Sequence, residues 1–169
     1  MKYMGLILFF FGFSSFAEIC NTPANFIKID SNLSIQDLTI YENETRVTEK
    51  LNDVSLINFW ALWCAPCLTE LPLLAEVKSM GNQYGVYTIY LGNIPESKNL
   101  LFLDTIKDLT AWYIPDTNIL SRWHAQGLPL TLVKENNDTL FAHYGVIKQT
   151  SLQLSEWLNC LTQQNKVKQ

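Results

Sequence analysis

The sequence predicts an α/β fold: a central mixed sheet flanked by helices and preceded by an N-terminal β-hairpin extension. Three observations carry this reading. Residues 54–60 (VSLINFW) and 84–91 (YGVYTIYL) are runs of strand length that are apolar with little alternation, as strands covered on both faces are. Helical spacing of apolar residues follows the first run and also closes the chain. The composition, 48% hydrophobic and 17% charged over 169 residues, can fill one sizeable core and excludes a disordered chain.

Taken in order, residues 26–30 (FIKID) and 38–41 (LTIY) alternate and read as the two arms of the N-terminal hairpin. After the strand at 54–60, residues 65–80 read as a helix, with Leu68, Leu71, Leu74, Ala75 and Val77 at helical spacing. The strand at 84–91 is followed by an amphipathic stretch, 97–109, carrying Leu100, Leu101, Leu103, Ile106 and Leu109. Residues 130–133 and 139–144 flank the polar segment 134–138 (KENND) and read as an antiparallel hairpin. A final helix starts near Thr150-x-x-Gln153, a capping box, and presents Leu154, Trp157, Leu158 and Leu161 as one stripe. No repeat, heptad pattern or Gly/Ser-rich linker divides the chain, so one domain is expected.

That domain is expected to begin at residue 18. Lys2 supplies a positive start, residues 3–13 (YMGLILFFFGF) an unbroken apolar run, and Ser15-Phe16-Ala17 the small residues read by a signal peptidase. The run falls short of the ~20 residues a membrane span needs. Residues 1–17 therefore read as a cleaved signal peptide, with an uncleaved anchor as the alternative; Cys20 lacks the preceding lipobox of a lipoprotein. The net charge of −4 gives no basic excess to attract nucleic acid. Four cysteines, at 20, 64, 67 and 160, suit one redox pair plus one structural bond in an exported protein. Cys20 and Cys160 are expected to form that structural disulfide.

The chemically informative segment is Trp60-Ala-Leu-Trp-Cys-Ala-Pro-Cys67. A Cys-x-x-Cys pair between a buried strand and a helix places Cys64 at the helix N-terminus, where unpaired N–H groups and the helix dipole favour the thiolate. Its thiol is expected to titrate below the ~8.5 of a free cysteine. Cys67 lies one turn further in, able to close a disulfide with Cys64 and less exposed. Pro66 suits the first turn, where its missing N–H costs nothing. A zinc site would need two more ligands. Cys20, Cys160, His124 and His143 form no second pair, so no metal is expected. Trp60, Trp112, Trp123 and Trp157 read as packing residues, and Trp63 as a surface lid beside Cys64.

The segment FWALWCAPC followed by Glu70-Leu-Pro72 resembles the thioredoxin superfamily, and within it the exported TlpA/ResA-like thiol-disulfide oxidoreductases. Gly127-Leu-Pro129-Leu-Thr131 is similar to that family's Gly-x-Pro-Thr loop, and Gly145 also fits; the likeness spans roughly residues 25–162. The resemblance implies a thioredoxin-like fold and a cis peptide bond before Pro129, with Cys64 as nucleophile and Cys67 as resolving thiol. It also implies a substrate surface of Trp63, Ala65, Pro66, Leu128 and Pro129. The redox-active disulfide itself serves in place of a cofactor. Expected partners are protein disulfide substrates and an upstream membrane thiol-disulfide donor, for a monomer working in the periplasm. A reductase is expected, with an oxidase or isomerase of the same fold as the alternative. A binding module or metallochaperone for apoprotein or cytochrome assembly is the non-enzymatic one.

Three departures stand out. Ordinary thioredoxins carry a buried Asp where this chain has Asn58, which cannot take a proton from Cys67. Glu70, three residues beyond Cys67, is the candidate acceptor; the alternative is a solvated carboxylate. Leu68 stands where relatives often have a basic residue, and Leu130 where the cytochrome c maturation branch typically has Glu.

Overall fold

The computed structural model describes residues 19–29, 38–42, 44–48, 50–92, 108–109, 112–135 and 139–167. The proposed leader (1–17) and nearly all of the helix read at 97–109 lie outside the described residues. Among the described residues, eight strands form one sheet: β1 (Ile27–Ile29), β2 (Tyr41–Glu42), β3 (Thr45–Arg46), β4 (Val54–Trp60), β5 (Gly85–Leu91), β6 (Trp112–Ile114), β7 (Leu130–Glu135) and β8 (Thr139–Tyr144). Their spatial order is β1-β8-β7-β4-β5-β6-β2-β3. The inner strands β4, β5 and β6 are parallel, and β7 runs antiparallel to both β4 and β8. Helices α1 (Ala65–Met80) and α2 (Ser151–Val167) cover one face. A 3₁₀ helix, Thr117–Trp123, packs on the other face through Ile119 and Trp123.

Every residue of β4 is buried, which explains its unbroken apolar run. Alternation sorts its side chains between two cores. Val54, Leu56 and Trp60 join Leu71 and Leu74 of α1 with Leu154, Trp157 and Leu158 of α2. Ile57 and Phe59 face Ile89, Trp112, Trp123 and Leu132 on the opposite side. The capping box of α2 is closed in both directions: Thr150 N donates to Gln153 Oε1 at 2.9 Å, and Gln153 N to Thr150 Oγ1 at 3.2 Å.

The N-terminal hairpin is built from other residues than the sequence pattern indicates. Residues 27–29 do not pair with 41–42; β1 joins β8 at one edge of the sheet, and β2 joins β6 at the far side. The hairpin present is β2–β3, with Tyr41 opposite Arg46. The cause is burial. Phe26 packs against His143 and Trp157, whereas Leu38 and Ile40 enter the core on the other face. Phe26 thus holds β1 beside β8 and α2, while Leu38 and Ile40 hold the chain before β2 near β6. Strand β6 and the 3₁₀ helix carry no clear sequence periodicity. The helix is recognisable afterwards by its cap, Asp116 Oδ1 accepting from Asn118 N at 2.9 Å.

Candidate active site

The chain leaves β4 at Trp60, turns, and enters α1 with Cys64 as the N-cap residue and Pro66 in the first turn. The turn is held by Cys64 N donating to Ala61 O at 3.0 Å. The Cys64 carbonyl accepts from Cys67 N at 3.0 Å and Leu68 N at 3.2 Å. Cys67 N also lies 3.3 Å from Cys64 Sγ, so the sulfur receives a backbone donor of the first turn. No acidic side chain occupies that turn to oppose the helix dipole. Cys64 and Cys67 are joined in a disulfide, with Cα atoms 5.3 Å apart.

The surroundings of the two sulfurs differ. Cys67 is fully buried, while Cys64 is 4% exposed at the rim. Trp63, 73% exposed, stands beside it with exposed Ala65 and Pro66. Sheet register brings the second loop to the same end: Phe59 of β4 pairs with Leu130 of β7, so Leu128 and Pro129 lie beyond the strand end from which Cys64 departs. The Leu128–Pro129 peptide is cis, Pro129 is buried and Leu128 half-buried. Pro129 O accepts from Gly145 N at 2.9 Å, which ties this loop to the one following β8. Gly145 has φ +89°, a conformation that strains any residue with a Cβ. Exposed Tyr144 and Val146 flank it. These two, together with Ile147, were not singled out by the sequence pattern.

Glu70 is not a solvated carboxylate. It is 2% exposed, on the buried side of α1 one turn beyond Cys67. Its Oε2 accepts from Asn58 Nδ2 at 2.8 Å and its Oε1 from Ile147 N at 2.6 Å. Burial pushes its pKa up, and these two donors pull it back in part. Asn58 Nδ2 also donates to Thr131 Oγ1 at 2.9 Å. Thr88, Asn58, Thr131 and His143 are direct neighbours across β5, β4, β7 and β8. They form one buried polar row beneath α1 in an otherwise apolar face. His143 Nδ1 donates to Gly145 O at 3.0 Å, and burial lowers its pKa, so the ring is held neutral. In the sequence this row shows only as polar residues scattered within the mostly apolar strands.

Cys20 and Cys160 are also joined, with Cα atoms 5.7 Å apart across 140 residues of chain. This bond fastens the segment before β1 to α2. Among the described residues no cluster of three or more His, Cys, Asp or Glu side chains is placed to hold a metal ion.

Fold and site together define the class: a thioredoxin-like protein with a dithiol–disulfide centre at a helix N-terminus. No family model matches the chain. A thiol:disulfide interchange protein DsbE homolog of Paracoccus denitrificans is 52% identical over 33 residues, 20% of this chain and 18% of that protein. The match thus spans less than a fifth of that relative. A thioredoxin-like protein of Synechocystis sp. is 23% identical over 120 residues, 71% of this chain and 90% of that protein. Among solved structures, a secreted Mycobacterium tuberculosis disulfide oxidoreductase homologous to E. coli DsbE superposes with a TM-score of 0.52. It shares 18% identity, covering 64% of this chain and 83% of that one. The chain shares the thioredoxin-like fold of that structure and carries its cysteine pair, Cys64 and Cys67, at the N-terminus of α1.

Proposed function

We propose that this protein is an exported thiol-disulfide oxidoreductase that reduces disulfides in partner proteins. The observation that carries the reading is the asymmetry of the pair: Cys64 is the N-cap of α1, 4% exposed and next in sequence to exposed Trp63, Ala65 and Pro66, and Cys67 is fully buried one turn further in. An attacking thiol must be reachable and a resolving one protected. The reaction needs two exchanges. Cys64 thiolate attacks one sulfur of the partner disulfide, expelling the other as a thiolate and forming a mixed disulfide. Cys67 then gives its proton to Glu70 and attacks Cys64 Sγ. The Cys64–Cys67 bond forms, the bond to the partner breaks, and the partner leaves as its second thiolate. Two electrons pass to the partner, and its thiolates take protons from water.

Trp63, Ala65, Pro66, Leu128 and Pro129 form the surface on which the partner segment lies. A proline at position 129 has no N–H to donate, so its neighbours present the backbone edge to an extended chain. Export is supported by the apolar leader in residues 1–17 and by a second disulfide, which persists only in an oxidising compartment. An upstream membrane thiol-disulfide donor would return the electrons. No helix among the described residues is long and apolar enough to cross a membrane.

The direction of electron flow follows from the reduction potential, where ~30 mV corresponds to ~1.4 kcal/mol. A potential measured in defined thiol buffers tests the reductase reading. A value near the cytosolic range supports it, and one as high as that of a strong oxidase assigns the reverse reaction. The binding-module alternative is separated by trapping: Cys67→Ser should leave a partner covalently attached to Cys64. A complex indifferent to reducing agent would favour the module.

A further inference from the structure

Glu70 holds a position that any proton acceptor of Cys67 must leave and re-enter: it is charged before the resolving step and neutral after it. A buried carboxyl that changes charge usually loses a partner in one of its two states, because a carboxylate only accepts and a carboxylic acid also donates. Oε1 is secured in both states by Ile147 N. Oε2 meets Asn58, whose amide has a donor at one end and an acceptor at the other. Nδ2 is engaged twice, with Glu70 Oε2 and with Thr131 Oγ1, while the fully buried Oδ1 has no hydrogen-bond partner among the described residues.

We propose that Asn58 is the positioning residue for Glu70, turning its side-chain amide to suit either protonation state and using Thr131 as the hinge partner. With Glu70 ionised, Nδ2 donates to Oε2 and to Thr131 Oγ1. When Oε2 gains the proton of Cys67, two donors face each other. A half-turn of the amide then puts Oδ1 in that place, where it accepts from the Glu70 carboxyl and from the Thr131 hydroxyl. The hydroxyl can donate as readily as it accepts. Two bonds exist before and two after, and one amide atom stays unpartnered in each state, so the turn is close to neutral in hydrogen bonds. Aspartate could not offer a donor to the ionised state, and leucine could serve neither. Thr131 lies two residues after Pro129, which places the turn next to the substrate loop.

Among the described residues, no charged group on the surrounding elements replaces this contact. On α1 the neighbours that titrate are Cys64 and Cys67 themselves. On β8 it is His143, whose pKa burial lowers, and after β8 it is the exposed Lys148. On the same face of β7, Glu135 sits at the far end of the strand, opposite Val54. Before β5, Tyr84 is bonded to Val77 O and Ser155 Oγ, and on β5 Tyr90 packs on Trp60. The charged side chains Glu156 and Lys166 of α2 are exposed.

The proposal rests on Glu70 serving Cys67, and the test separates the two. Reduced protein is mixed with 5,5′-dithiobis(2-nitrobenzoate) in a stopped-flow instrument between pH 4 and 9. The first release of nitrothiophenolate reports attack by Cys64, and the second reports resolution by Cys67. Asn58→Leu should slow the second phase about 10-fold at neutral pH and move its inflection to higher pH, because the ionised carboxyl has lost a donor. The first phase should stay within about twofold. Thr131→Val should produce a smaller shift of the same sign, and Thr131→Ser should restore the wild-type profile. Wild-type protein gives a reading that needs no variant: the Asn58 side-chain amide resonances should titrate with the midpoint of the second phase. Glu70→Gln with an unchanged profile would end the role of Glu70 and this proposal with it. If Glu70→Gln removes the inflection while Asn58→Leu leaves it in place, or the Asn58 amide does not titrate, Glu70 keeps its role and the proposal is overturned.

Discussion

The two disulfides are the same covalent bond in opposite settings. Cys64–Cys67 closes a separation of 3 residues inside one helical turn; Cys20–Cys160 closes 140. In the chain-entropy view the long loop restrains the unfolded chain by about 5 kcal/mol, and the short one by under about 2. The long bond is therefore suited to holding the fold, and the short one to being opened. Their protein settings agree. Around Cys64 lie an uncompensated helix N-terminus, an exposed tryptophan and a buried acid–amide pair, which favour chemistry. Cys160 sits half-buried in the middle of α2, joined to Cys20. A thiol becomes reactive through what surrounds it, not through being paired.

Breaking the comparison at its strongest point, Cys64→Ser should abolish reduction of a protein disulfide such as insulin, a fall of at least about 10³-fold, while the urea midpoint moves little. Alkylation rates of the reduced wild type against pH should place the Cys64 thiol below an ordinary cysteine. Activity surviving the serine would remove the nucleophile assignment. Replacing both Cys20 and Cys160 by serine should do the reverse. Stability should fall by up to about 5 kcal/mol in urea denaturation, with exchange activity per folded molecule retained. Equal loss of activity in the folded fraction would make the second bond part of the reaction.

Smaller effects sharpen the contrast around Glu70. Glu70→Gln should slow resolution about 10²-fold without preventing attack, measured as accumulation of the mixed disulfide under single-turnover conditions. The same variant carries a stability signature. Burial raises the folded pKa of Glu70 above its ordinary value of 4.5, so the native state binds the proton more tightly than the unfolded one. By linkage, the cost of the buried charge is absent below the unfolded pKa and grows as pH rises through the folded pKa. The glutamine variant should therefore gain stability over wild type at neutral pH, and the gain should vanish below about pH 4.5. A difference independent of pH would remove the buried-charge account. Smallest of all, Trp63→Ala should raise KM for a protein substrate several-fold with little change in kcat, since its exposed ring is available to the partner before the chemistry.

Local sequence determined the elements whose partners are near in the chain. Strand β4, helix α1, strand β5, the β7–β8 hairpin and the cap of α2 each follow from periodicity and punctuation over a few residues. The dithiol is also local, because strand end, N-cap, Pro66 and both sulfurs occupy one turn of chain. Tertiary structure alone decided what depends on distant surfaces. Residues 26–29 left 38–41 because Phe26 found Trp157 and His143, far along the chain. Glu70 became a buried acid because Asn58, Thr131 and the N–H of Ile147 converge on it from β4, β7 and the loop after β8. A pattern of period 2 or 3.6 states which face a side chain takes. Which groups meet it there is set by strand order and register, and these emerge only when the whole sheet is assembled.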